Sequence, residues 1–156
     1  MGKGLVSGVC LNAAKDSVVL VFDIDPARAY REAYGLPGGT IEDKEIDKEK
    51  AMVREWREEA DSEYVGNPKF VYSHQRKGRG EFFTQFFFLI DPPKGPLRTK
   101  GVPGETGPPE WILLEVIFSE KKKLHWTHKE GLKNVLQQMA LEDPDVAFMI
   151  ERLRII

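Results

Sequence analysis

Residues 36–62 read LPGGTIEDKEIDKEKAMVREWREEADS, in which a glycine-rich turn precedes a highly charged segment. Three apolar residues in the second half have the spacing of one helical face: Val53, Trp56 and Ala60. Three glutamates at similar spacing share the opposite face: Glu55, Glu58 and Glu59. The pattern predicts a helix over about 48–62 that packs one side on a sheet and presents three carboxylates on the other.

Carboxylates that are clustered in this way repel one another, and a hard divalent cation between them makes the arrangement favourable. Mg²⁺ prefers oxygen ligands and often bridges carboxylates to substrate phosphates. Gly38 and Gly39, which precede the helix, have no Cβ, so their backbone can approach a ligand closely. The alternative interpretation is a solvated helix face with weak ion pairs, which is the common role of a helix rich in Glu, Arg and Lys.

The whole segment resembles the Nudix box. That family's pattern is Gly, five residues, Glu, seven residues, and then Arg-Glu-apolar-x-Glu-Glu-x-Gly-apolar. Here Gly39 and Glu45 are followed by the array Arg54-Glu55-Trp56-Arg57-Glu58-Glu59. The resemblance implies the Nudix fold, an α/β (α+β) architecture with a mixed β-sheet sandwiched between α-helices. It also implies a Nudix-type pyrophosphohydrolase that cleaves nucleoside diphosphate derivatives with Mg²⁺ or Mn²⁺ as its cofactor.

The box departs from the family pattern at two places. Eight residues separate Glu45 from Arg54, one more than the pattern has, and we expect the extra residue in the loop before the helix. The insertion could disturb the pairing with Glu45 by which Arg54, through its bidentate guanidinium, would orient the metal-binding cluster. Asp61 stands where the family has the Gly that ends the helix in a left-handed conformation. Either Asp61 adopts that conformation, or the helix continues toward Gly66.

By the same resemblance, the carboxylates of the box receive roles in metal binding and catalysis. Glu58 and Glu59 would be the main metal ligands, and the Gly38 carbonyl would contribute. Glu55 would bind metal or polarise the attacking water, depending on the subfamily. These assignments are carried over from the family's motif to the matching positions of this chain.

A glutamate in the loop before the last predicted strand is a further candidate. In MutT-type nucleoside triphosphatases, one Glu lies six residues before a Trp, and Glu105 stands at that distance from Trp111. By this resemblance Glu105 would act as the general base or as an extra metal ligand, which favours a nucleoside triphosphate as the substrate. The alternative is an exposed loop carboxylate, and Glu110 is a weaker candidate for the same role.

The rest of the chain shows β-rich and helical patterns without strict alternation. The pattern predicts strands at 5–11, 17–22, 70–74, 82–90 and 111–117, and helices at 127–139 and 144–154. The first two strands could form a hairpin. Long loops are expected at 23–33 and 91–109. Thr127, with Glu130 three residues on, predicts the N-cap of the first of these two helices.

Several residues outside the box keep two interpretations. The phenylalanine-rich strand at 82–88 is expected to be mostly core, although one or two of its rings could stack on a base. Trp126 could be core, a substrate platform or a dimer contact. The three histidines lack metal-ligand spacing: His74, His125 and His128. The basic turn either steers a phosphate or is simply solvated: Arg76, Lys77 and Arg79.

Length and composition narrow the class of protein. A chain of 156 residues predicts one domain, residues 1–156. A net charge of -2 does not suggest a general nucleic-acid binder. The lone cysteine, Cys10, cannot form an internal disulfide, which favours a reducing compartment and a buried position. We find no signal-peptide pattern and no apolar run of roughly 20 residues, so we expect a cytoplasmic protein without a membrane partner.

The sequence leaves two main functional classes open. The survival of all three box carboxylates favours an enzyme acting on a small nucleotide-like substrate. Asp61 and the inserted residue keep a non-catalytic nucleotide sensor or scaffold as the alternative. A plain structural domain is a weaker third interpretation, and it predicts no effect of divalent metal on stability. The apolar C-terminal residues could be core or a homodimer surface: Phe148, Met149, Ile155 and Ile156.

Overall fold

The computed structural model describes residues 3–26, 33–45, 47–78 and 80–155. Seven strands are present: β1 (Lys3–Val9), β2 (Ser17–Phe22), β3 (Tyr34–Gly35), β4 (Gly38–Thr40), β5 (Lys69–Gly78), β6 (Glu81–Leu89) and β7 (Glu110–Leu113). The helices are α1 (Lys48–Glu59), α2 (Leu114–Phe118), α3 (Trp126–Ala140) and α4 (Pro144–Leu153). Within these ranges no helix has the length and apolarity needed to cross a membrane.

The strands form two sheets. A four-stranded sheet has the order β4-β1-β6-β5, in which β1 runs parallel to β6 and the other neighbours are antiparallel. An antiparallel three-stranded sheet has the order β3-β2-β7. The mixed α+β architecture predicted from the sequence is therefore confirmed.

The central strands of the larger sheet bury residues on both faces. On one face Val6 and Phe88 pack with Trp56 of α1 in one core cluster. On the other face Val9 and Phe87 belong to a second cluster, which includes residues of α3 and α4. Because neighbouring residues of a strand point to opposite sides, this double burial places the sheet between α1 on one side and α3 with α4 on the other.

Helix α1 begins where its sequence predicts. The Asp47 side chain accepts a hydrogen bond from the Glu49 backbone N–H at 2.9 Å and so caps the first turn. Trp56 and Ala60 are fully buried as expected, whereas Val53 is only partly buried and Met52 is buried in its place. The apolar side of α1 therefore covers β1, and its charged side is left for the site.

Helix α1 ends at Glu59, three residues before the predicted end, and both alternatives for Asp61 are wrong. Asp61 has no positive φ, and the helix does not continue toward Gly66. Instead, the Asp61 N–H donates to the Trp56 carbonyl at 3.0 Å, and its Oδ1 accepts from the Glu63 N–H at 3.0 Å. A wide final turn followed by an Asx turn thus replaces the left-handed glycine.

The strand predicted at 111–117 is wrong in its second half, because the chain turns into α2 at Leu114. Leu114 and Ile117 are both buried, which is a helical spacing, and Trp111 and Leu113 are exposed on β7. The apolar run fits strand and helix equally well. Packing of the buried pair against the main core decides the matter in favour of a helix.

Two other local expectations also change. β1 and β2 lie in different sheets and meet only near the turn, through a bridge between Leu11 and Val18, so the expected hairpin is confined to its tip. The N-cap of α3 is His125 and not Thr127. The hydroxyl of Thr127 is engaged instead by Arg76 of β5, at 2.7 Å.

We predict that Gly131→Ala destabilises the protein, although alanine favours a helix over glycine by about 1 kcal/mol. A Cβ at this buried position of α3 would overlap the ring of Phe87, which is itself fully buried. Overpacking of this kind costs about 1–3 kcal/mol, so the net effect is a lower free energy of unfolding, measured by urea titration. The exposed Gln138→Ala in the same helix should change it by less than about 0.5 kcal/mol. A Gly131→Ala variant as stable as the parent would contradict the packing.

Candidate active site

The turn at residues 36–39 lies in close contact with β1 and α1. The Gly38 N–H donates to Glu59 Oε2 at 2.6 Å, and the preceding Pro37 carbonyl accepts from the Gly8 N–H at 2.8 Å. A Cβ on Gly38 would overlap the Val6 carbonyl oxygen, and one on Gly39 would overlap the Glu55 carboxylate. Gly38 is therefore required for the close approach of the turn to β1, whereas a side chain at Gly39 would displace the carboxylate of Glu55.

Arg54 binds several of the carboxylates at once. Its Nε and Nη2 donate to the two carboxylate oxygens of Glu45 at 2.9 and 2.8 Å. Its Nη1 donates to Glu55 Oε1 at 2.9 Å and lies 3.5 Å from Glu58 Oε2. The extra residue in the box leaves the bidentate pair with Glu45 intact, although Ile46 lies outside the described residues. Arg54 thus connects the loop before α1 with the glutamates on it.

The three glutamates of the motif lie at different depths on the side of α1 that faces β4. Glu59 is buried, the Glu55 side chain is 12% exposed, and the Glu58 side chain is 50% exposed. Burial raises the pKa of Glu55 above its usual value, and the charges of Glu58 and Glu105 raise it further, whereas Arg54 opposes the shift. The site therefore combines a mostly buried carboxyl, whose charged form is disfavoured, with a more accessible one.

The donor set suits a hard divalent ion. Glu55, Glu58 and Glu59 offer only oxygen atoms, and the turn adds backbone carbonyls such as that of Gly38. As they stand, no three acidic, histidine or cysteine side chains in the described ranges are close enough together to share an ion. The Arg54 guanidinium contacts both Glu55 and Glu58. Its positive charge offsets the repulsion between these two carboxylates. The residues therefore fit a divalent metal ion by the chemistry of their donor atoms.

Glu105 lies near this cluster because its loop is bound to the end of β2. The Glu105 carbonyl accepts from the Ile24 N–H at 3.0 Å, and the Phe22 carbonyl accepts from the Gly107 N–H at 2.9 Å. The side chain is exposed, and its charge acts on Glu55. By contrast, the carboxylate of Glu110 accepts a hydrogen bond from the Tyr34 hydroxyl at 3.1 Å. The structure thus brings Glu105, but not Glu110, into the electrostatic field of the box.

A cleft runs from the box toward the beginning of α3. Its box end includes Gly38, Gly39 and Glu59, and its other lining comes from β1, β2, β3, β5, β6 and α3. Sequence reasoning missed several of its polar side chains as candidates: Asp23, Tyr34, Gln85, His125 and His128. Tyr34, Gln85 and His128 lie in β3, β6 and α3, Asp23 follows β2, and His125 precedes α3, so no local motif marks them.

His128 connects α3 to the turn of the box. Its Nδ1 accepts a hydrogen bond from the Leu36 N–H at 2.9 Å, so a neutral ring carries its proton on Nε2. The ring also approaches Gly35 so closely that a Cβ there would lie 3.3 Å from it. Backbone bonds from Tyr34 N–H to Lys123 O and from His125 N–H to Tyr34 O complete the contact. Helix α3 therefore holds the segment that leads into Gly38.

The aromatic candidates separate into core and surface. Phe87 and Phe88 are fully buried, and Phe82 is 60% exposed, with the Lys77 ammonium 5.8 Å from its ring centre. Trp126 is 61% exposed and stacks on His125 with 6.4 Å between ring centres, which excludes the core interpretation. Arg76 lines the cleft, whereas Arg79 lies outside the described residues.

Comparison with known proteins gives a family match and many structural neighbours. The NUDIX domain model matches residues 2–135. A search of curated protein sequences found no match. The sequence matched by the family model includes the box, the cleft residues described above and most of α3.

Three solved structures illustrate the likeness in fold. The MutT NUDIX hydrolase from Burkholderia pseudomallei is 19% identical, with a TM-score of 0.67 over 86% of this chain and 98% of that one. The NUDIX domain of Shewanella oneidensis NrtR, complexed with ADP ribose, is 12% identical, with a TM-score of 0.72 over 89% of each chain. The MutT protein from Methanosarcina mazei Go1 is 15% identical, with a TM-score of 0.68 over 85% and 91%.

We predict that the stabilisation contributed by Arg54 depends on pH. The hydrogen bonds from Arg54 are the main cause of a lowered pKa at Glu45. A lowered pKa in the folded state gives stability that is present above the ordinary pKa and is lost as the pH falls through the lowered value. Arg54→Gln should therefore destabilise the protein clearly at pH 7 and much less at about pH 3, as measured by urea unfolding. Lys100→Gln, in the exposed loop before β7, should show no such dependence. An equal loss at both pH values would contradict the role of the pair.

Proposed function

Because this chain belongs to the family of hydrolases defined by the NUDIX domain, we propose that it is a metal-dependent pyrophosphohydrolase of nucleoside diphosphate derivatives. The observation that carries the proposal is the Arg54 guanidinium, which pairs with Glu45 and contacts Glu55 and Glu58 on the helix whose Glu59 lines the cleft. Water attacks one phosphorus of the phosphoanhydride, and the P–O bond to the leaving phosphate breaks. The products are a nucleotide and a phosphorylated second group, or pyrophosphate.

The residues of the box divide the work between binding and proton transfer. Glu58, Glu59 and the Gly38 carbonyl would hold Mg²⁺ or Mn²⁺. A bound divalent ion would neutralise the charge of the diphosphate and make the attacking water more acidic. Glu55 is suited to accept a proton, since burial raises its pKa above the usual value, and its carboxylate oxygens could alternatively bind the ion. The hydrogen bond from Gly38 N–H to Glu59 fixes the distance between the turn and α1.

Glu105 is our candidate for the general base. Its side chain is exposed, its loop is bound to the segment that follows β2, and its negative charge helps to raise the pKa of Glu55. Its position before Trp111 resembles that of the loop glutamate in MutT-type triphosphatases, which supports a nucleoside triphosphate as the first substrate to test. ADP-ribose is the second, because the Shewanella oneidensis NUDIX domain is complexed with it.

The whole chain is proposed to act as one domain in the cytoplasm. The family match ends at residue 135, but α4 continues the same core, since Val146 and Met149 pack in one cluster with Leu132 of α3. A homodimer through exposed apolar residues such as Phe148 remains a proposal that sedimentation would test.

A nucleotide sensor without turnover is the second candidate function. The unusual end of α1 at Asp61 and the longer box loop are the features that favour it. Against it stands the geometry of the motif, because neither feature displaces Arg54 from Glu45 or Glu59 from Gly38. The two candidates differ in whether bound nucleotide is cleaved, which one experiment decides.

We expect Mg²⁺-dependent release of phosphate products from at least one member of a panel of nucleoside triphosphates, ADP-ribose, sugar nucleotides and dinucleoside polyphosphates. Glu58→Gln and Glu59→Gln should each lose that activity by about 100-fold or more, since each removes a charged metal ligand. Glu63→Gln, an exposed change just beyond α1, is the matched control and should keep full activity.

The same samples distinguish the alternatives. Metal-dependent nucleotide binding without turnover in the parent protein would support the sensor. Absence of both metal-dependent turnover and metal-dependent thermal stabilisation would contradict any metal site. Activity that survives in Glu58→Gln and Glu59→Gln would show that other residues hold the ion.

We predict that Glu105→Gln lowers kcat and leaves KM nearly unchanged. A general base contributes about 100- to 10,000-fold to the rate, and glutamine keeps the shape of the side chain but cannot accept a proton. Glu115→Gln, an exposed residue of α2, is the control. A rise in KM alone would show that Glu105 binds substrate or metal and does not act as the base.

A further inference from the structure

In another part of the cleft, Arg76 of β5 meets the beginning of α3. Arg76, Gln85, His125 and His128 line this part of the cleft. Among the cleft-lining residues that the structure describes, Arg76 is the only lysine or arginine. Two carboxylates also line the cleft: Asp23, which directly follows β2, and Glu59, the last residue of α1. Positive charge in the cleft is therefore concentrated at one place.

The Arg76 guanidinium is fixed by a buried threonine. Its Nη1 donates to Thr127 Oγ1 at 2.7 Å, and Thr127 is fully buried. The same oxygen lies 2.7 Å from His125 Nδ1, which also accepts from the Thr127 N–H at 3.3 Å. Because Nδ1 acts as the acceptor, Thr127 donates its hydroxyl proton to His125 and accepts from Arg76. The guanidinium thus has a defined orientation before any ligand binds.

The other polar groups in this part of the cleft are already engaged. Gln85 Nε2 donates to Ser7 Oγ at 3.0 Å, and its Oε1 pairs with His74 Nε2 at 3.2 Å. Burial, with a smaller effect of the Arg76 charge, lowers the pKa of His125 to about 4, so this ring is neutral near pH 7. Thr127 is the only side chain of the described ranges that hydrogen-bonds the Arg76 guanidinium. Since a guanidinium carries five N–H donors and no acceptor, Arg76 has donors left for a ligand.

We propose that Arg76 is a specificity-determining residue, which donates hydrogen bonds to acceptor oxygens on the part of the substrate that lies away from the cleaved phosphoanhydride. This inference rests on the proposed function, because the box end of the cleft is taken to hold the diphosphate. The same chemistry has two sources, a carbonyl oxygen on the nucleobase or an oxygen of a further phosphate. Thr127 is a positioning residue, since it acts on the ligand only through Arg76.

The test compares substrates that differ in one acceptor. At position 6 of the purine, inosine triphosphate has a carbonyl group and adenosine triphosphate has an amino group. At position 4 of the pyrimidine, dUTP has a carbonyl group and dCTP has an amino group. Diadenosine tetraphosphate adds phosphates without adding a carbonyl. In Arg76→Gln, kcat/KM should fall by about 10- to 100-fold for substrates with the recognised oxygen, and much less for their partners. Lys77→Gln removes a charge from the next residue, which contacts Phe82, and should change nothing.

The pattern of losses identifies the source. Selective loss for inosine triphosphate and dUTP assigns the carbonyl, and selective loss for diadenosine tetraphosphate assigns the phosphate. An equal loss for all substrates, or no loss, overturns the proposal.

If the parent protein cleaves none of them, the dissociation constants of the same compounds in Ca²⁺ are compared between parent and Arg76→Gln. In that case, weaker binding of only the recognised compounds by Arg76→Gln supports the inference about Arg76, although the proposed hydrolysis fails. If the parent binds none of the compounds, or if the variant weakens all of them equally, the inference is overturned.

Thr127 provides an independent variant pair. Thr127→Val removes the hydroxyl at nearly constant shape, so KM for the recognised substrates should rise about 10-fold with kcat unchanged. Thr127→Ser keeps the hydroxyl and should restore the parent's KM. Equal KM values for the valine and serine variants, at unchanged thermal stability, would contradict the positioning role.

Discussion

The site depends on the distance between a backbone turn and the helix that follows it. Residues 38–39 run as a short strand against β1 while they also meet the carboxylates of α1, and this geometry leaves no room for a Cβ at either glycine. At this crowded point the Gly38 N–H donates its hydrogen bond to the Glu59 carboxylate. Without that bond a backbone donor would be left without a partner. One packing constraint therefore sets both the closeness of α1 to the sheet and the position of the most buried carboxylate.

Electrostatics explain why the charged side of α1 is more than a solvated helix face. Arg54 has 25% of its side chain exposed and reaches carboxylates from the loop and from its own helix. Four acidic side chains lie around this guanidinium: Glu42, Glu45, Glu55 and Glu58. They leave excess negative charge, and burial together with the neighbouring charge of Glu58 raises the pKa of Glu55. Ion pairs on an ordinary surface helix contribute little, whereas this group is partly desolvated and shares one cation. The excess negative charge of these carboxylates would attract a cation, and a phosphorylated substrate needs a cation as its counter-ion.

What could be predicted from the sequence was chemistry held within a short stretch of chain. The box, the start of α1 and the Arg54–Glu45 partnership all follow from residues within 36–62. The end of α1 could not be predicted, because Asp61 finds its partners in a turn that a helix pattern does not encode. Thr127 has the local pattern of an N-cap, but its hydroxyl bonds a residue 51 positions away. The cleft is invisible to sequence reasoning for the same reason, since its polar side chains come from strands and a helix that meet only after folding.

The parallel pairing of β1 with β6 has a consequence for biosynthesis. Residues 3–9 pair with residues 83–89, so the two central strands are separated by about half of the chain. Contacts between such distant segments form late, because the entropy of closing a long loop must be overcome first. During translation, β1 emerges from the ribosome long before its parallel partner exists, with one of its edges unpaired. Early β1–β4 pairing with α1 would cover that strand on one side. The segment that carries the carboxylates of the box would thus shield a nascent chain before the rest of the fold exists.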